Sequence, residues 1–492
     1  MFQVPFPWVG PSPPPICLSV CASRTIKATN KDYGQTNRLS ALKRDNMYLR
    51  DEWPIMPDGS TYDGKNLLKL VINNKSPFEG LWDVKRLLAE IERNLRARVV
   101  DIPSIVRGSH NAVCYGIHIT LHNQPPILVR LSRTDLNHPD YSGPPPESQV
   151  SAARFESGVY KLLRAEEGIP VSQLLYYRPP IFKTRPGSDQ REEQEVEGKK
   201  RKSQGSKDLS GRALFVFGLL DGRTRGGVDG GRGESVWEGL GAEQRTSLLH
   251  QCARIRASLF NLTPPKGFST FWLRERLFER NPEISFKIPG SATRDFCIAL
   301  FEAKVNATIG QEQHSGSDIV QQTKQTLLGI VPHILPEEEE SETREPTFYR
   351  LVLEHGDFAI HNMAIKQEPI GHVSITSLHD WEIGHILPAI LSDPLLGINV
   401  DLSGDENGES CFSGLSGEPS PEQRQEYLCC MAPYVEALFA QVPAYKRVIQ
   451  AGRNARCLWK MLDGWRGGDV EGFCERLIRW VEEVRKTSAS DV

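Results

Sequence analysis

The stretch that most constrains the fold of this chain is residues 354–382, EHGDFAIHNMAIKQEPIGHVSITSLHDWE. Short apolar runs within it and just before it are separated by turn residues, a pattern that predicts strands joined into two hairpin-like arms. Three polar side chains fall at the ends of these runs: Asp357, Asn362 and Asp380. We therefore expect the two arms to bring these three side chains together.

These side chains suit the transfer of a phosphoryl group. That reaction depends on positioning and on charge neutralisation, with little covalent work for the protein. Asp357 is the candidate for orienting an incoming hydroxyl and accepting its proton. Mg²⁺ prefers hard oxygen ligands and takes one or two carboxylates beside the phosphates, which suits Asn362 and Asp380. Asp-x4-Asn followed by a strand and an Asp is the catalytic-loop pattern of kinases. The alternative is two polar-tipped hairpins in an unrelated α/β domain.

The run H-G-D-F-A-I-H-N followed by H-D-W-E resembles the motifs of the aminoglycoside phosphotransferase and choline-kinase-like family, a branch of the protein-kinase-like fold. The resemblance implies an α+β fold of two lobes, a small antiparallel-sheet N-lobe and a larger, mostly helical C-lobe. It also implies ATP, or GTP, with Mg²⁺ in the cleft, Asp357 as catalytic base, and Asn362 and Asp380 as metal ligands. By its motif position, His355 is expected to hold the catalytic loop. Glu382 either adds negative charge near a cationic substrate or the metal, or caps local structure.

The rest of the chain is predicted to form a tail and the two lobes. Six prolines among the first 15 residues forbid a regular helix there, so residues 1–60 are predicted to be a disordered tail. Residues 61–218 are predicted to form the N-lobe with a flanking helix, and residues 219–492 the helical C-lobe. Residues 184–211 are rich in charged and small polar side chains without apolar periodicity, which predicts a disordered insertion in the N-lobe.

A loop in the N-lobe is a candidate for covering the phosphates of the nucleotide. Residues 104–121 alternate as strand, turn and strand, with the turn at residues 108–111. Backbone N–H groups at such a tip can meet phosphate oxygens, and the candidate residues there are Gly108, Ser109 and Asn111. A plain β-hairpin would show the same pattern, so the loop alone does not decide between the two.

The other nucleotide contacts are predicted along the N-lobe sheet. Arg130 lies on the strand where kinases carry a phosphate-binding lysine, and its planar fork suits phosphate. Glu156, in the amphipathic helix that follows, is the candidate partner of Arg130. The alternatives are an exposed strand residue and a solvated helix carboxylate. The strand at residues 213–218 leads to the expected hinge, where the resemblance makes Phe217 and Leu219 candidates for contacting the adenine.

Composition narrows the function classes. A net charge of −3 gives no bulk attraction to nucleic acid or to an anionic membrane. No apolar run approaches the ~18 residues of a transmembrane helix. The ten cysteines are scattered without metal-binding spacing, which favours reduced thiols in an intracellular compartment. We therefore expect a cytoplasmic protein; the basic stretch without acidic residues before Asp32 leaves a mitochondrial presequence as the alternative.

The leading hypothesis is an ATP- and Mg-dependent phosphotransferase that acts on the hydroxyl of a small molecule. The lack of an activation segment ending in A-P-E argues against a protein kinase. The alternative is a nucleotide-binding pseudo-enzyme or scaffold. It is favoured by the glycine-poor loop and by Arg130, and opposed by the intact Asp357, Asn362 and Asp380. Neither the acceptor nor the oligomeric state follows from the residues.

Overall fold

In the computed structural model of this protein, the described residues are 53–107, 114–138, 141, 143, 145–183, 209–219, 236–237, 239–266, 292–309, 318–337, 348–367, 371–398, 401–404, 410–414, 421–465 and 469–490. Three predictions fall outside these ranges. They are the tail up to residue 52, the phosphate-loop residues Gly108, Ser109 and Asn111, and the insertion over residues 184–208.

The N-lobe is built on one antiparallel sheet of five strands, in the order β1-β2-β3-β5-β4. Its strands are β1 (Val99–Arg107), β2 (Cys114–Leu121), β3 (Ile127–Ser132), β4 (Leu174–Arg178) and β5 (Leu214–Gly218). Side chains alternate between the two faces of a strand, so β5 sends residues into two different cores. Leu214 and Val216 belong to a core on the outer face, whereas Phe215 and Phe217 face the C-lobe.

The outer face of this sheet is covered by the segment that precedes β1. It contains two helices, α1 (Leu67–Ile72) and α2 (Val84–Leu95), and the side chain of Asp83 caps the start of α2. An aromatic cluster joins this segment to the sheet: Trp53, Tyr62, Phe78, Trp82 and Tyr115. Trp53, the first of the described residues, is thus already packed in this cluster.

The inner face of the sheet carries a single long helix, α3 (Pro146–Leu163), between β3 and β4. Its buried residues Phe155, Val159 and Leu163 repeat at four-residue spacing and join the same core as the C-lobe. The N-lobe also contacts the C-lobe directly after this helix. The backbone N–H of Leu378 donates to the carbonyl of Pro170, at 2.8 Å.

The C-lobe is mainly helical among the residues that the structure describes. Its helices are α4 (Ala242–Asn261), α5 (Arg294–Ile309), α6 (Asp318–Ile334), α7 (Pro421–Gln441), α8 (Pro443–Ala451), α9 (Arg453–Gly464) and α10 (Val470–Ser490). They form one core with α3 and the short strands. None of the helices among the described residues is long and apolar enough to cross a membrane.

Short strands in the C-lobe carry the motif at residues 354–382. Strand β6 (Leu351–Glu354) pairs with β9 (His385–Pro388), and β7 (Met363–Gln367) pairs with β8 (Val373–Leu378). A third small sheet contains β10 (Leu396–Gly397), β11 (Asp401–Gly404) and β12 (Ser410–Gly414). The α+β class with two lobes expected from the sequence is confirmed by this arrangement of a small antiparallel sheet and a larger helical lobe.

Candidate active site

The register of the β7–β8 hairpin brings Asn362 close to Asp380 along the backbone. Met363, the first residue of β7, lies opposite Leu378, the last residue of β8. Asn362 precedes this pair and Asp380 follows it, so both lie at the same open end of the hairpin. The backbone N–H of His379 donates to the carbonyl of Asn362, at 3.0 Å, and continues the pairing to this point.

The turn at Gly356 directs the chain from β6 into the catalytic loop. Gly356 has φ +78°, a left-handed conformation that glycine adopts without strain. A Cβ atom at this position would overlap the carbonyl oxygen of Ile383 in the metal-site loop. Glycine therefore allows the two loops to approach each other. Asp357 is the next residue in the chain after this contact.

His355 holds these two loops together from a fully buried position. Its Nε2 donates to the carbonyl oxygen of His379 at 2.7 Å, and its Nδ1 accepts from the backbone N–H of Asp357 at 3.4 Å. The ring also packs on Trp381, with the ring centres 4.5 Å apart. Burial lowers the pKa of His355 to about 4, so the imidazole is neutral at pH 7.

Asn362 is buried at the end of a short 3-10 helix, Ile360–Asn362. Its side-chain nitrogen Nδ2 donates to the carbonyl oxygen of Asp357, at 2.8 Å. This bond determines the orientation of the amide, so the oxygen Oδ1 is the atom that would serve as a cation ligand. Asp380 has φ +64°, a conformation that few residues other than glycine adopt and that often marks functional sites.

Arg130 connects the N-lobe sheet to the metal-site loop. Its Nη1 lies 3.0 Å from Oε1 of Glu156 and 3.4 Å from Oδ1 of Asp380, and its Nη2 pairs with Glu382. The guanidinium thus bridges a strand of the N-lobe, the helix α3 and the loop after β8. The predicted partner of Arg130 is found in contact with it, and Glu382, whose role the sequence left open, is a second partner.

The electrostatics of this cluster follow from burial and from its carboxylates. Burial raises the pKa of Glu156 to about 7; the charges of Glu382 and Asp380 act in the same direction, and Arg130 opposes them. For Arg130, burial favours the neutral form, but the three carboxylates outweigh burial and raise its pKa well above the usual value. The guanidinium is therefore charged at every accessible pH.

The hinge candidates are located at the end of β5. Phe217 is buried, and its ring packs edge-on against Tyr160 with the centres 5.0 Å apart. The backbone N–H of Leu219 donates to the carbonyl of Pro126, at 3.1 Å, which continues the pairing of β5 with β3. A contact with the adenine by either residue stays a prediction, and at Leu219 the backbone N–H is already engaged.

A buried polar cluster supports the catalytic loop from below. Arg256 on α4 lies 3.4 Å from Glu354, at the end of β6, and also donates to the carbonyl of Asp393. The hydroxyl of Ser392 donates to Glu354 and lies 2.7 Å from the hydroxyl of Tyr445. Asp393 is thus bound to the same arginine that holds the strand before the loop.

One residue near Asp357 was not predicted. Nε2 of His361 lies 3.1 Å from Oδ2 of Asp357, and the imidazole is half exposed. The sequence signal was available, because His361 lies within the quoted motif, directly before Asn362. The motif assigns no role to the position of His361. Only the geometry of the 3-10 helix shows that this side chain reaches back to Asp357.

The donor set fits Mg²⁺ bound together with phosphates. Among the described residues, no group of three or more His, Cys, Asp and Glu side chains forms a complete metal site. Mg²⁺ does not require one, because it keeps several waters and takes one or two protein carboxylates beside the substrate's phosphates. Asn362 and Asp380 at one end of the hairpin supply an amide oxygen and a carboxylate, which are hard ligands of the preferred kind.

Comparisons with known proteins detect similarity in structure and none in sequence. No protein-family model and no curated protein matches the sequence. Among solved structures, the chain is similar to macrolide 2′-phosphotransferase from Brachybacterium faecium (12% identity, 81% of this chain and 97% of that chain covered, TM-score 0.35). It is also similar to choline kinase from Cryptosporidium parvum (11% identity, 83% and 97% covered, TM-score 0.33).

A third similar structure is amicoumacin kinase in complex with AMP-PNP and Ca²⁺, with 11% identity, 82% of this chain and 94% of that chain covered, and a TM-score of 0.30. The similarities are distant at these values, and what the site can do follows from its own residues.

Proposed function

We propose that this protein is a phosphotransferase that uses ATP and Mg²⁺ to phosphorylate a hydroxyl group of a small molecule. The observation that carries the proposal is the hairpin register that brings Asn362 and Asp380 to one end, with Asp357 bound to Asn362. Arg130 reaches Asp380 from the other lobe, which adds a phosphate-binding cation to the same cleft. Together these side chains supply a base, two metal ligands and a phosphate contact.

Each side chain has a task in the transfer. Asp357 would accept the proton of the acceptor hydroxyl while that oxygen attacks the γ-phosphorus and ADP leaves. Asn362 and Asp380 would hold Mg²⁺, which when bound neutralises charge on the β- and γ-phosphates. Arg130, oriented by Glu156, would donate to the α- and β-phosphates. His355 stays neutral and keeps the two loops in register.

A second candidate is a nucleotide-binding protein without turnover, a pseudokinase or scaffold. One observation favours it: Arg130 lies within 3.4 Å of Asp380, so a protein cation already contacts the carboxylate that would hold the metal. Mg²⁺ and Arg130 would compete for that oxygen unless the guanidinium transfers to phosphate. The second candidate predicts binding of ATP with weak or no Mg²⁺ dependence and without turnover.

The first experiment is a thermal-shift titration with ATP, with and without Mg²⁺. A ligand that binds the folded state stabilises it by about 2.7 kcal/mol at 100 times Kd. We expect a Mg-dependent rise in Tm that Asp380→Asn abolishes and that the exposed control Asp101→Asn retains. No shift at millimolar Mg-ATP would refute the phosphotransferase proposal. GTP in place of ATP identifies the preferred base.

Turnover separates the two candidates. In an ATPase assay, where water replaces the acceptor, the phosphotransferase should release phosphate slowly. Asp357→Asn should retain the Mg-ATP shift and lose about 10²- to 10⁴-fold in rate, the usual contribution of a positioned base. Mg-ATP binding without phosphate release, and without phosphorylation of any member of a panel of sugars, amino sugars and amino alcohols, would favour the second candidate.

A further inference from the structure

The carboxylate of Asp357 has a partner that the proposed reaction has not yet used. Nε2 of His361 donates to Oδ2 of Asp357, at 3.1 Å. The imidazole side chain is 50% exposed, whereas that of Asp357 is 17% exposed. His361 therefore lies between the carboxylate and the solvent.

The local fold explains why His361 points toward Asp357. The 3-10 helix Ile360–Asn362 has about three residues per turn, so its side chains point in three different directions. Ile360 and Asn362 are both buried. The residue between them consequently projects outward, on the side where the chain has just left Asp357.

The main chain of Asp357 is already held on both sides of the residue. Its carbonyl accepts from Asn362, and its N–H donates to His355. These bonds act on the backbone of Asp357, whereas the bond from His361 acts on the carboxylate itself. A donor on Oδ2 limits rotation of the carboxylate, and a general base must keep its orientation to within hydrogen-bonding distance of the proton that it accepts.

We propose that His361 is a positioning residue for the base: its Nε2–H holds Oδ2 of Asp357 so that the carboxylate keeps one orientation toward the acceptor hydroxyl. This inference rests on the phosphotransferase function proposed above. The role is that of a fixed donor and requires no change in the charge of the imidazole. It also makes His361 part of the surface that an acceptor approaches.

The test compares single and double variants by rate and by binding. His361→Ala removes the donor, and His361→Gln supplies an amide N–H in its place. Because the lost hydrogen bond is to a charged group, we expect His361→Ala to lower kcat by about 10-fold. Mg-ATP binding should be unchanged. His361→Gln should recover most of the rate. His372→Ala, an exposed histidine at the tip of the same hairpin, is the matched control and should behave as the parent protein.

A double-variant cycle distinguishes positioning from a structural role. If His361 acts through Asp357, then Asp357→Asn combined with His361→Ala should be no slower than Asp357→Asn alone. Multiplied losses in the double variant, or equal rates for His361→Ala and the parent protein, would overturn this inference and leave the phosphotransferase proposal intact. A parent protein that binds no Mg-ATP, or binds it without turnover, would overturn both.

Discussion

Arg256 and Arg130 both hold carboxylates, and their surroundings differ. Arg256 lies under the catalytic loop with its side chain 4% exposed, and it pairs with one carboxylate, that of Glu354. Arg130 lies in the cleft between the lobes with its side chain 12% exposed. Among the described residues three carboxylates contact it, and two of these, Asp380 and Glu382, are about a quarter exposed.

We infer from this difference that the Arg256 cluster supports the catalytic loop, whereas the Arg130 cluster is suited to binding. The Arg256 pair is buried and has further bonds to Asp393 and Ser392, so a change in its geometry would leave a buried charge without its partner. The Arg130 cluster brings several negative charges to a partly solvated cleft. The phosphotransferase proposal requires this cluster to accept a further cation and its guanidinium to exchange a carboxylate for phosphate.

The largest effect on stability is expected for Arg256→Met. The change leaves Glu354 buried without its cation, which costs about 3–5 kcal/mol. Arg130→Met should cost less, because water reaches Asp380 and Glu382 and because Glu156, whose pKa is raised to about 7, can take up a proton. Urea unfolding of both variants measures the difference, with the exposed Arg254→Met on the same helix as control. Equal losses for Arg256→Met and Arg130→Met would remove the distinction between the two clusters.

A smaller effect is expected at the turn that joins the two clusters. Gly356→Ala forces a Cβ into a left-handed backbone and against the carbonyl of Ile383, and strain of this kind costs about 1–3 kcal/mol. Gly371 has φ +83° with no atom within 4 Å of such a Cβ, so Gly371→Ala reports backbone strain alone. Unfolding curves should show a greater loss for Gly356→Ala. Identical losses would mean that the overlap with Ile383 is relieved without cost.

A still smaller effect is expected from the carboxylates of the cleft. Glu382→Gln removes one of three negative charges around Arg130, and exposed or half-exposed ion pairs contribute about 0–1 kcal/mol. We expect the free energy of unfolding to change by no more than about 1 kcal/mol. Glu354→Gln, which breaks the buried pair, should cost more. A large loss for Glu382→Gln would show that the cleft is held together as firmly as the support below it.

The smallest effect is a change in the slope of stability with pH. The folded-state pKa of Glu156, about 7, lies above its usual 4.5. Its contribution to the free energy of unfolding is therefore lost as pH rises from about 4.5 to about 7. His355 has a lowered pKa of about 4, so its contribution is lost as pH falls from about 6.5 to about 4. With rising pH, Glu156 therefore lowers the free energy of unfolding and His355 raises it.

Glu156→Gln removes the first slope. The free energy of unfolding should then rise more steeply between pH 5 and pH 7 in the variant than in the parent protein. The exposed Glu147→Gln on the same helix is the control. Parallel profiles for the parent protein and Glu156→Gln would show that Glu156 is ionised in both the folded and the unfolded state across this range.

Much of the fold and of the site was predictable because the signals are local. Alternating apolar residues predicted the strands on either side of residues 108–111, and the amphipathic pattern predicted α3, the helix that carries Glu156. The expected pair of Arg130 and Glu156 is present in the structure. Helices α8 and α9 were not predicted, because they are short and follow each other with only Gly452 between them.

The sequence by itself determined the chemistry available to the site, because Asp357, Asn362 and Asp380 fall within one run of two strands whose register follows from local pairing. Only the tertiary structure decided which arginines the carboxylates around those groups contact. Glu382 meets Arg130 across 252 residues and Arg256 meets Glu354 across 98. Such contacts form when separate elements pack into one core, and no local periodicity encodes them.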